Sequence, residues 1–472
     1  MGENLSHKEL VALVLQLSKK VKSLEKSIKI KDSIIQKQEY EIASLKAELV
    51  KYKNPKNSSN SSVPPSKDEN RLRKTNSLRK KTGRKPGGQP GHQGHSWKMN
   101  ENPDVIKECI PQYCNGCGCD LTHTPREFVS KKQLIDIPPI RPVITEYQVF
   151  SKKCKCGHKT TSSFPEGVHT PVNYGNNIQS IMAYLHSRHF ISHNRMVEFM
   201  NHLFGLSISE GTVDNLLNRF QKKVLPYYQQ IKQQISKSST VGGDETGGHV
   251  NGEKHWFWTW VTQFMTLIVA SDNRGKKTID ATFPNGFPDS TLVSDCWRSH
   301  LNTHAKNHQL CIAHLLRELI HLGQLYNCKW SEDFFDLLIK AIEMEKKMCV
   351  QDYYNPEFEP RKKTLQKFEL LLEEYNENEN TPKLNTFVNR MKKYKDYVFV
   401  FLFEPDVPPD NNAAERAVRN IKVKLKVSGQ FKSKHGAERF AIIRSIIDTL
   451  IKNGVDILET LQFMANFAYA KY

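Results

Sequence analysis

The stretch Thr240-Val241-Gly242-Gly243-Asp244-Glu245-Thr246 marks the point where the chain changes character. Before it, apolar residues recur at helical spacing; after it, they fall in short runs rich in Val, Trp, Phe and Thr, the composition of strands. These runs cover Thr240 to Thr246, His255 to Val261 and Met265 to Ala270. Lys276 to Ala281 then reads as a helix, and Thr291 to Asp295 as a further strand.

Three antiparallel strands, a helix and a fourth strand are the opening order of a ribonuclease H-like domain. In that order Asp244 lies within the first strand and Asp295 at the end of the fourth, side by side in mid-sheet. Two hard carboxylates pointing the same way suit Mg²⁺ (or Mn²⁺), which takes oxygen ligands and also binds substrate phosphate. Glu245, next to Asp244, is expected on the opposite face in a structural role.

The remaining acid is expected from a later helix, opened by Pro408-Pro409-Asp410-Asn411-Asn412-Ala413-Ala414-Glu415-Arg416-Ala417-Val418-Arg419. The prolines stop what precedes, Asp410 or Asn411 can cap, and Glu415 falls in the helix body with Arg416 and Arg419 three apart beside it. Any one of these acids alone reads as a solvated surface charge. The ordered set, a carboxylate for metal beside arginines for phosphate, points to phosphoryl transfer. Between the acids, a strand expected at Gln309 to Ile312 leads into Cys311, His314 and Arg317, the last two on one helical face. Cys311 is read as packing, and His314, supported by Arg317, as orienting substrate; a second zinc site here has only two obvious ligands.

Upstream, Cys114-x2-Cys117 and Cys154-x-Cys156 are each followed by a glycine, Gly118 and Gly157, as in knuckles where backbone amides approach thiolate sulfur. Four cysteines in this pattern suit a structural Zn²⁺. Cys119, Cys109 or His158 can substitute for a ligand, and free reduced thiols are the alternative. The segment Leu206 to Val213 has the form of the turn and second helix of a helix-turn-helix. With Ser209 as N-cap, the helix Gly211 to Lys222 would present Thr212, Asn215, Asn218 and Arg219 to DNA. Three-helix units without a nucleic-acid role look alike.

The bulk numbers agree with a DNA partner. The 472 residues carry a formal charge of +19, and each Lys or Arg that meets a phosphate releases a condensed counterion. Basic residues concentrate in an arm containing Arg71, Arg73, Lys80, Lys81, Arg84 and Lys85, after a polar linker from Asn54 to Ser66; a solvated tether is the other reading. The apolar run Tyr397 to Phe403 is far short of the ~20 residues that cross a membrane. With six of ten cysteines clustered between Cys109 and Cys156 and no export signal, a cytoplasmic, nucleoid-associated protein is expected. At the start, Leu10, Val14, Leu17, Val21, Leu24, Ile28, Ile35, Ile42, Leu45 and Leu49 form a heptad seam interrupted by Lys31 and Gln38. It reads as a coiled coil that makes a homo-oligomer, the alternative being one amphipathic helix lying on the rest of the chain.

In this order the pieces resemble the insertion sequence 66 family of DDE transposases along nearly the whole chain. The resemblance rests on the zipper, Gly83 to Gly94, the knuckles, the helix-turn-helix segment, Asp244-Glu245-Thr246, Ser294-Asp295, Cys311 to Leu319 and Asp410 to Ala417. It implies cleavage and strand transfer at the terminal inverted repeats of an element, joining to target DNA, with Asp244, Asp295 and Glu415 as metal ligands. It also implies an all-helical insertion between the second and third acids. The narrow Cys154-x-Cys156 pair and the bulky Cys296-Trp297-Arg298 after the second aspartate depart from the family pattern.

The expected architecture is therefore a multidomain α/β protein. A coiled coil (1–53) and a basic linker and arm (54–100) precede a zinc-binding domain (101–170) and a helix-turn-helix domain (171–235). A ribonuclease H-like catalytic core follows in two parts (236–324 and 404–472), split by the helical insertion (325–403).

Overall fold

A computed structural model describes residues 7–53, 91–93 and 97–467. The basic arm with Arg71, Arg73, Lys80, Lys81, Arg84 and Lys85 lies outside the described residues. Helix α1, His7–Lys53, is continuous over 47 residues. Along its heptad stripe Leu17, Val21, Leu24, Ile28, Ile35, Ile42 and Leu45 are each more than half exposed.

The knuckle region holds little regular structure. An isolated bridge joins Tyr113 to Asp120 around the first cysteine pair. Strands β1 (Ser151–Lys153) and β2 (Lys159–Thr161) form a hairpin with Cys154 and Cys156 in its turn.

Helices α2 (Asn176–Ser187), α3 (His193–Phe204) and α4 (Glu210–Ile235) follow. Gly205, in the left-handed region at φ 65°, ends α3. The Ser209 hydroxyl caps α4 by accepting from the Thr212 amide at 3.1 Å. The α4 helix runs well past the Lys222 expected from sequence, through Pro226 to Ile235. Its stripe of Val213, Leu217, Phe220, Val224, Ile231 and Ile235 explains this, because every turn is buried in the main core and offsets the backbone donor lost at proline.

The central sheet consists of β3 (Thr240–Val250), β4 (Glu253–Val261), β5 (Thr266–Ser271), β6 (Phe287–Ser294) and β7 (Ala305–Leu310), in the order β5-β4-β3-β6-β7. The first three are antiparallel, and β3–β6 and β6–β7 are parallel. Helix α5 (Lys276–Thr282) makes the crossover to β6, and α6 (Arg298–Leu301) lies between β6 and β7. Parallel pairing demands cover on both faces. On one face Trp258, Trp260, Leu267 and Leu292 share a core with Ile279 and Phe283 of the α5 region. On the other, Val250, Phe257 and Ile268 pack with residues from the C-terminal helices.

Helix α7 (Ile312–Tyr326) leads into α8 (Lys329–Glu345), α9 (Val350–Tyr354), α10 (Glu359–Glu373) and α11 (Pro382–Lys393). These and two 3₁₀ turns enclose a second core containing Phe334, Phe368, Phe387, Phe399 and Phe401. Buried Arg361 ties that unit together by donating to the carbonyls of Tyr353 and Leu402 at 3.0 and 3.1 Å. The chain then returns to the sheet through α12 (Asn412–Ser428), α13 (Lys434–Lys452) and α14 (Ile457–Asn466).

Further boundaries differ from the sequence reading. The strand before Cys311 is β7, ending at Leu310 rather than spanning Gln309 to Ile312. Its last register partner is Ser294, and Cys311 already serves as the N-cap of α7. Asp295 is likewise the first residue after β6. Among the described residues no helix is long and apolar enough to cross a membrane.

Candidate active site

Strand register brings the two aspartates together. Parallel β3 and β6 pair Thr240 with Thr291 and Gly242 with Val293. Two residues further along each chain stand Asp244 and Asp295, so alternation carries both carboxylates to one edge of the same face. The Asp244 carboxylate accepts from the Glu245 amide at 2.8 Å, and that of Asp295 from the Trp297 amide at 3.0 Å. Burial, and then the neighbouring charges of Glu245 and Asp295, push Asp244 up to about 8.

Helix α12 lies across this face, and glycine makes the close approach possible. A Cβ on Gly242 would meet Asn411 Oδ1 at 2.7 Å, and one on Gly248 would meet the Leu425 side chain at 2.8 Å. Asn411 donates its side-chain amide to the Gly243 carbonyl at 2.6 Å. Asn411 is the N-cap residue, but its side chain is spent on β3; the Asp410 carboxylate instead accepts from the Asn412 amide at 2.9 Å. Two further bonds lock the start of α7 between β6 and the α12 entry: Cys311 N donates to the Ser294 carbonyl at 2.8 Å, and Ile312 N to the Pro409 carbonyl at 2.9 Å.

This docking sets Glu415 against α7. Its Oε1 lies 3.4 Å from Arg317 Nη2 and 3.7 Å from His314 Nδ1. One turn apart on α7, His314 and Arg317 thus meet the third acid together. Burial first, then the Arg317 charge, hold His314 below its ordinary range. Cys311, His314 and Glu415 offer donor atoms all within 4.8 Å of one another, the one such group among the described residues. Asp244, Asp295 and Glu415 do not form a group that tight. Arg416 and Arg419 are exposed on α12.

Behind Asp244, on the other sheet face, Glu245 is the hub of a network that spacing did not reveal. It accepts from His300 Nε2 at 3.0 Å and pairs with Arg274 at 2.9 Å, while its own side chain is only 3% exposed. Burial would raise Glu245, yet His300 and Arg274 outweigh it and hold the carboxyl low. Burial likewise opposes charge on His300, but the Glu245 bond raises that ring above its ordinary value. The Arg274 guanidinium stacks over Trp297 at 3.8 Å and Trp256 at 4.6 Å. The only sequence signal for this network was the alternation that sent Glu245 away from Asp244; its partners lie 29 and 55 residues further on.

Elsewhere the expected residues separate. On α4, Asn215 and Arg219 are exposed and Thr212 is half-buried. Asn218 is consumed internally, bonding Asp214 at 3.1 Å, His435 at 2.9 Å and the Arg439 guanidinium. In the knuckles, Gly118 and Gly157 both have positive φ, 77° and 89°, which fits the tight turns expected there. Amides of Cys117 and Gly116 hold the Cys114 thiol low, and the Cys156 amide does the same for Cys154. Cys114 and Cys154 are thus biased toward thiolate, although the four sulfurs do not sit within 4.8 Å of one another.

Two known families match the chain. Residues 111–157, which contain both knuckles, match the zinc-finger binding domain of transposase IS66. Residues 171–439, from α2 into α13, match the model described as Transposase IS66 family. Comparison with curated proteins gives no match. Because the second of these matches covers more than half of the chain, including Asp244, Asp295 and Glu415, the chain belongs to the IS66 family of transposases.

Proposed function

We propose that this transposase cleaves DNA at the ends of an insertion sequence and joins the freed ends to target DNA by metal-assisted phosphoryl transfer. Asp244, Asp295 and Glu415 are the acids that would hold Mg²⁺ or Mn²⁺, in a core read as ribonuclease H-like. The observation that carries this reading is the register of β3 and β6, which sets Asp244 and Asp295 side by side under the helix bearing Glu415. The donor set fits a hard cation: burial first, and then the charges of Glu245 and Asp295, push Asp244 to about 8, and a divalent ion would offset both by supplying the missing positive charge. Bound there, the ion supplies Lewis-acid charge to a phosphoryl oxygen and activates water or a DNA 3′-hydroxyl.

The chain's own groups do the rest. Glu245 and His300 brace the strand that carries Asp244. Arg317 holds the Glu415 carboxylate, His314 lies beside the same carboxylate and would help orient substrate, and the exposed Arg416 and Arg419 would take flanking phosphates. The exposed pair Asn215 and Arg219, with Thr212 at the cap, would reach DNA as a helix-turn-helix, and the basic arm would add sequence-independent affinity. Incubation of the chain with element-end DNA, target plasmid and Mg²⁺ tests the reading. Joined products are expected; cleavage without joining identifies a nuclease, and neither identifies a silent DNA-binding regulator.

Two auxiliary units follow from the same reading. The knuckles would close on one structural Zn²⁺ through Cys114, Cys117, Cys154 and Cys156, since a loop-rich segment with so little core gains its order from metal. Metal analysis of purified chain should lose about one equivalent in the combined Cys114→Ser, Cys117→Ser variant; unchanged content rules those ligands out. The α1 stripe would be covered by a second copy of α1. Sedimentation should find an oligomer that Leu24→Lys with Ile35→Lys converts to monomer, whereas a monomeric wild-type chain refutes the zipper.

A further inference from the structure

The sulfur and imidazole beside Glu415 are not explained by Mg²⁺ chemistry, which calls for oxygen donors. Cys311 is 1% exposed, and its Sγ accepts the Asn411 amide at 3.2 Å. The His314 amide also donates toward this sulfur. Amide donors converging on sulfur at a helix N-terminus are the surroundings that favour a thiolate ligand. The imidazole, by contrast, is unsatisfied: His314 Nδ1 is buried without a hydrogen-bond partner. Glu415, 3.7 Å from that nitrogen, completes the set.

We infer that Cys311, His314 and Glu415 form a binding site for a borderline-soft divalent cation of the Zn²⁺ or Co²⁺ class, separate from the knuckles. One sulfur, one nitrogen and one oxygen donor within 4.8 Å match the ligand preferences of those ions and leave room for a fourth ligand. Three features of the fold make the set rigid: Cys311 caps α7, His314 lies one turn along it, and the Pro409–Ile312 bond pins the α12 entry to the same helix end. Arg317 at 3.4 Å competes for Glu415 and would weaken the site relative to a closed four-ligand zinc. The site shares Glu415 with the phosphoryl-transfer reading but does not rest on it, because its occupancy is read without DNA.

The test is Co²⁺ binding to the full chain after chelation, followed by visible absorption and by equilibrium dialysis. Cys311→Ala and His314→Gln are each compared with wild type, with circular dichroism confirming the fold. The expected result is one equivalent fewer in each variant, and loss in Cys311→Ala of a thiolate-to-cobalt band that Mg²⁺ does not displace. This difference holds whether or not the knuckles also bind cobalt. Equal stoichiometry and identical spectra in wild type and both folded variants would overturn the site. Displacement of the band by Mg²⁺ at comparable concentration would overturn its chemical class.

Discussion

Glu415→Gln should bind element-end DNA about as tightly as wild type while losing both strand cleavage and joining, by a factor of about a thousand or more. Glutamine nearly preserves the shape and keeps a carbonyl oxygen, but it removes the negative charge that, on the proposed reading, would help hold a divalent ion beside Asp244 and Asp295. A thousandfold loss corresponds to about 4 kcal/mol of barrier, within reach of one lost metal ligand. The fold should survive, because Glu415 is partly exposed and α12 is anchored by other residues: Asn411 to β3, and Ile421 in the core. DNA affinity would rest on the basic arm and on exposed Asn215, Arg219, Arg416 and Arg419, so it should stay strongly salt-dependent. The control is Glu373→Gln, an exposed acid at the end of α10, which should cleave at the wild-type rate. Gel-shift and cleavage assays on the same preparations decide it; normal cleavage by Glu415→Gln would move the third ligand elsewhere.

Asp244→Asn should abolish cleavage and, in the absence of metal, make the protein more stable at alkaline pH. The second half follows from linkage. Asp244 is raised to about 8 in the folded chain, by burial first and then by Glu245 and Asp295, from an ordinary value of 3.8. The folded state therefore holds a proton that the unfolded state has released. Its contribution to stability is fully present below about pH 4 and is lost as pH rises through about 8. Asparagine is neutral throughout and escapes that loss. Thermal unfolding in chelator should fall with pH between about 4 and 8 for wild type, less steeply for Asp244→Asn. Added Mg²⁺ should flatten the wild-type curve, since the ion binds the deprotonated form, and should leave the variant unchanged. Parallel curves for the two proteins would show that Asp244 is not the strained acid.

The sheet was legible because its strands alternate or run apolar in a way that leaves few other readings. Thr240, His255 to Val261 and Lys276 all fall within or at the ends of the observed elements. The extra length of β3, out to Val250, was hidden by Gly247 and Gly248, poor strand formers; at Gly248 a side chain would collide with Leu425 of α12. The placing of Asp244 and Asp295 side by side was legible from strand order, and so was the helical face joining His314 to Arg317. Partners brought in from far along the chain were not legible. Glu245 could be sent to the opposite face by alternation, but nothing in its neighbourhood named His300 or Arg274. Cys311 and His314 lacked a third ligand on paper because Glu415 lies about a hundred residues away, delivered only when α12 docks on α7. Asn218 shows the converse: its spacing on α4 offered it to DNA, and packing against α13 took it away.

The decisive observation is where a divalent cation binds when DNA is in place. Crystals of the full chain with element-end DNA and Mn²⁺, measured at the manganese absorption edge, would place the ion directly by anomalous scattering. The account predicts an anomalous peak touching carboxylate oxygens of both Asp244 and Asp295 and the scissile phosphate, with Glu415 completing the site. A peak held by other acids, or one absent from Asp244 and Asp295 while DNA is in place, would contradict it.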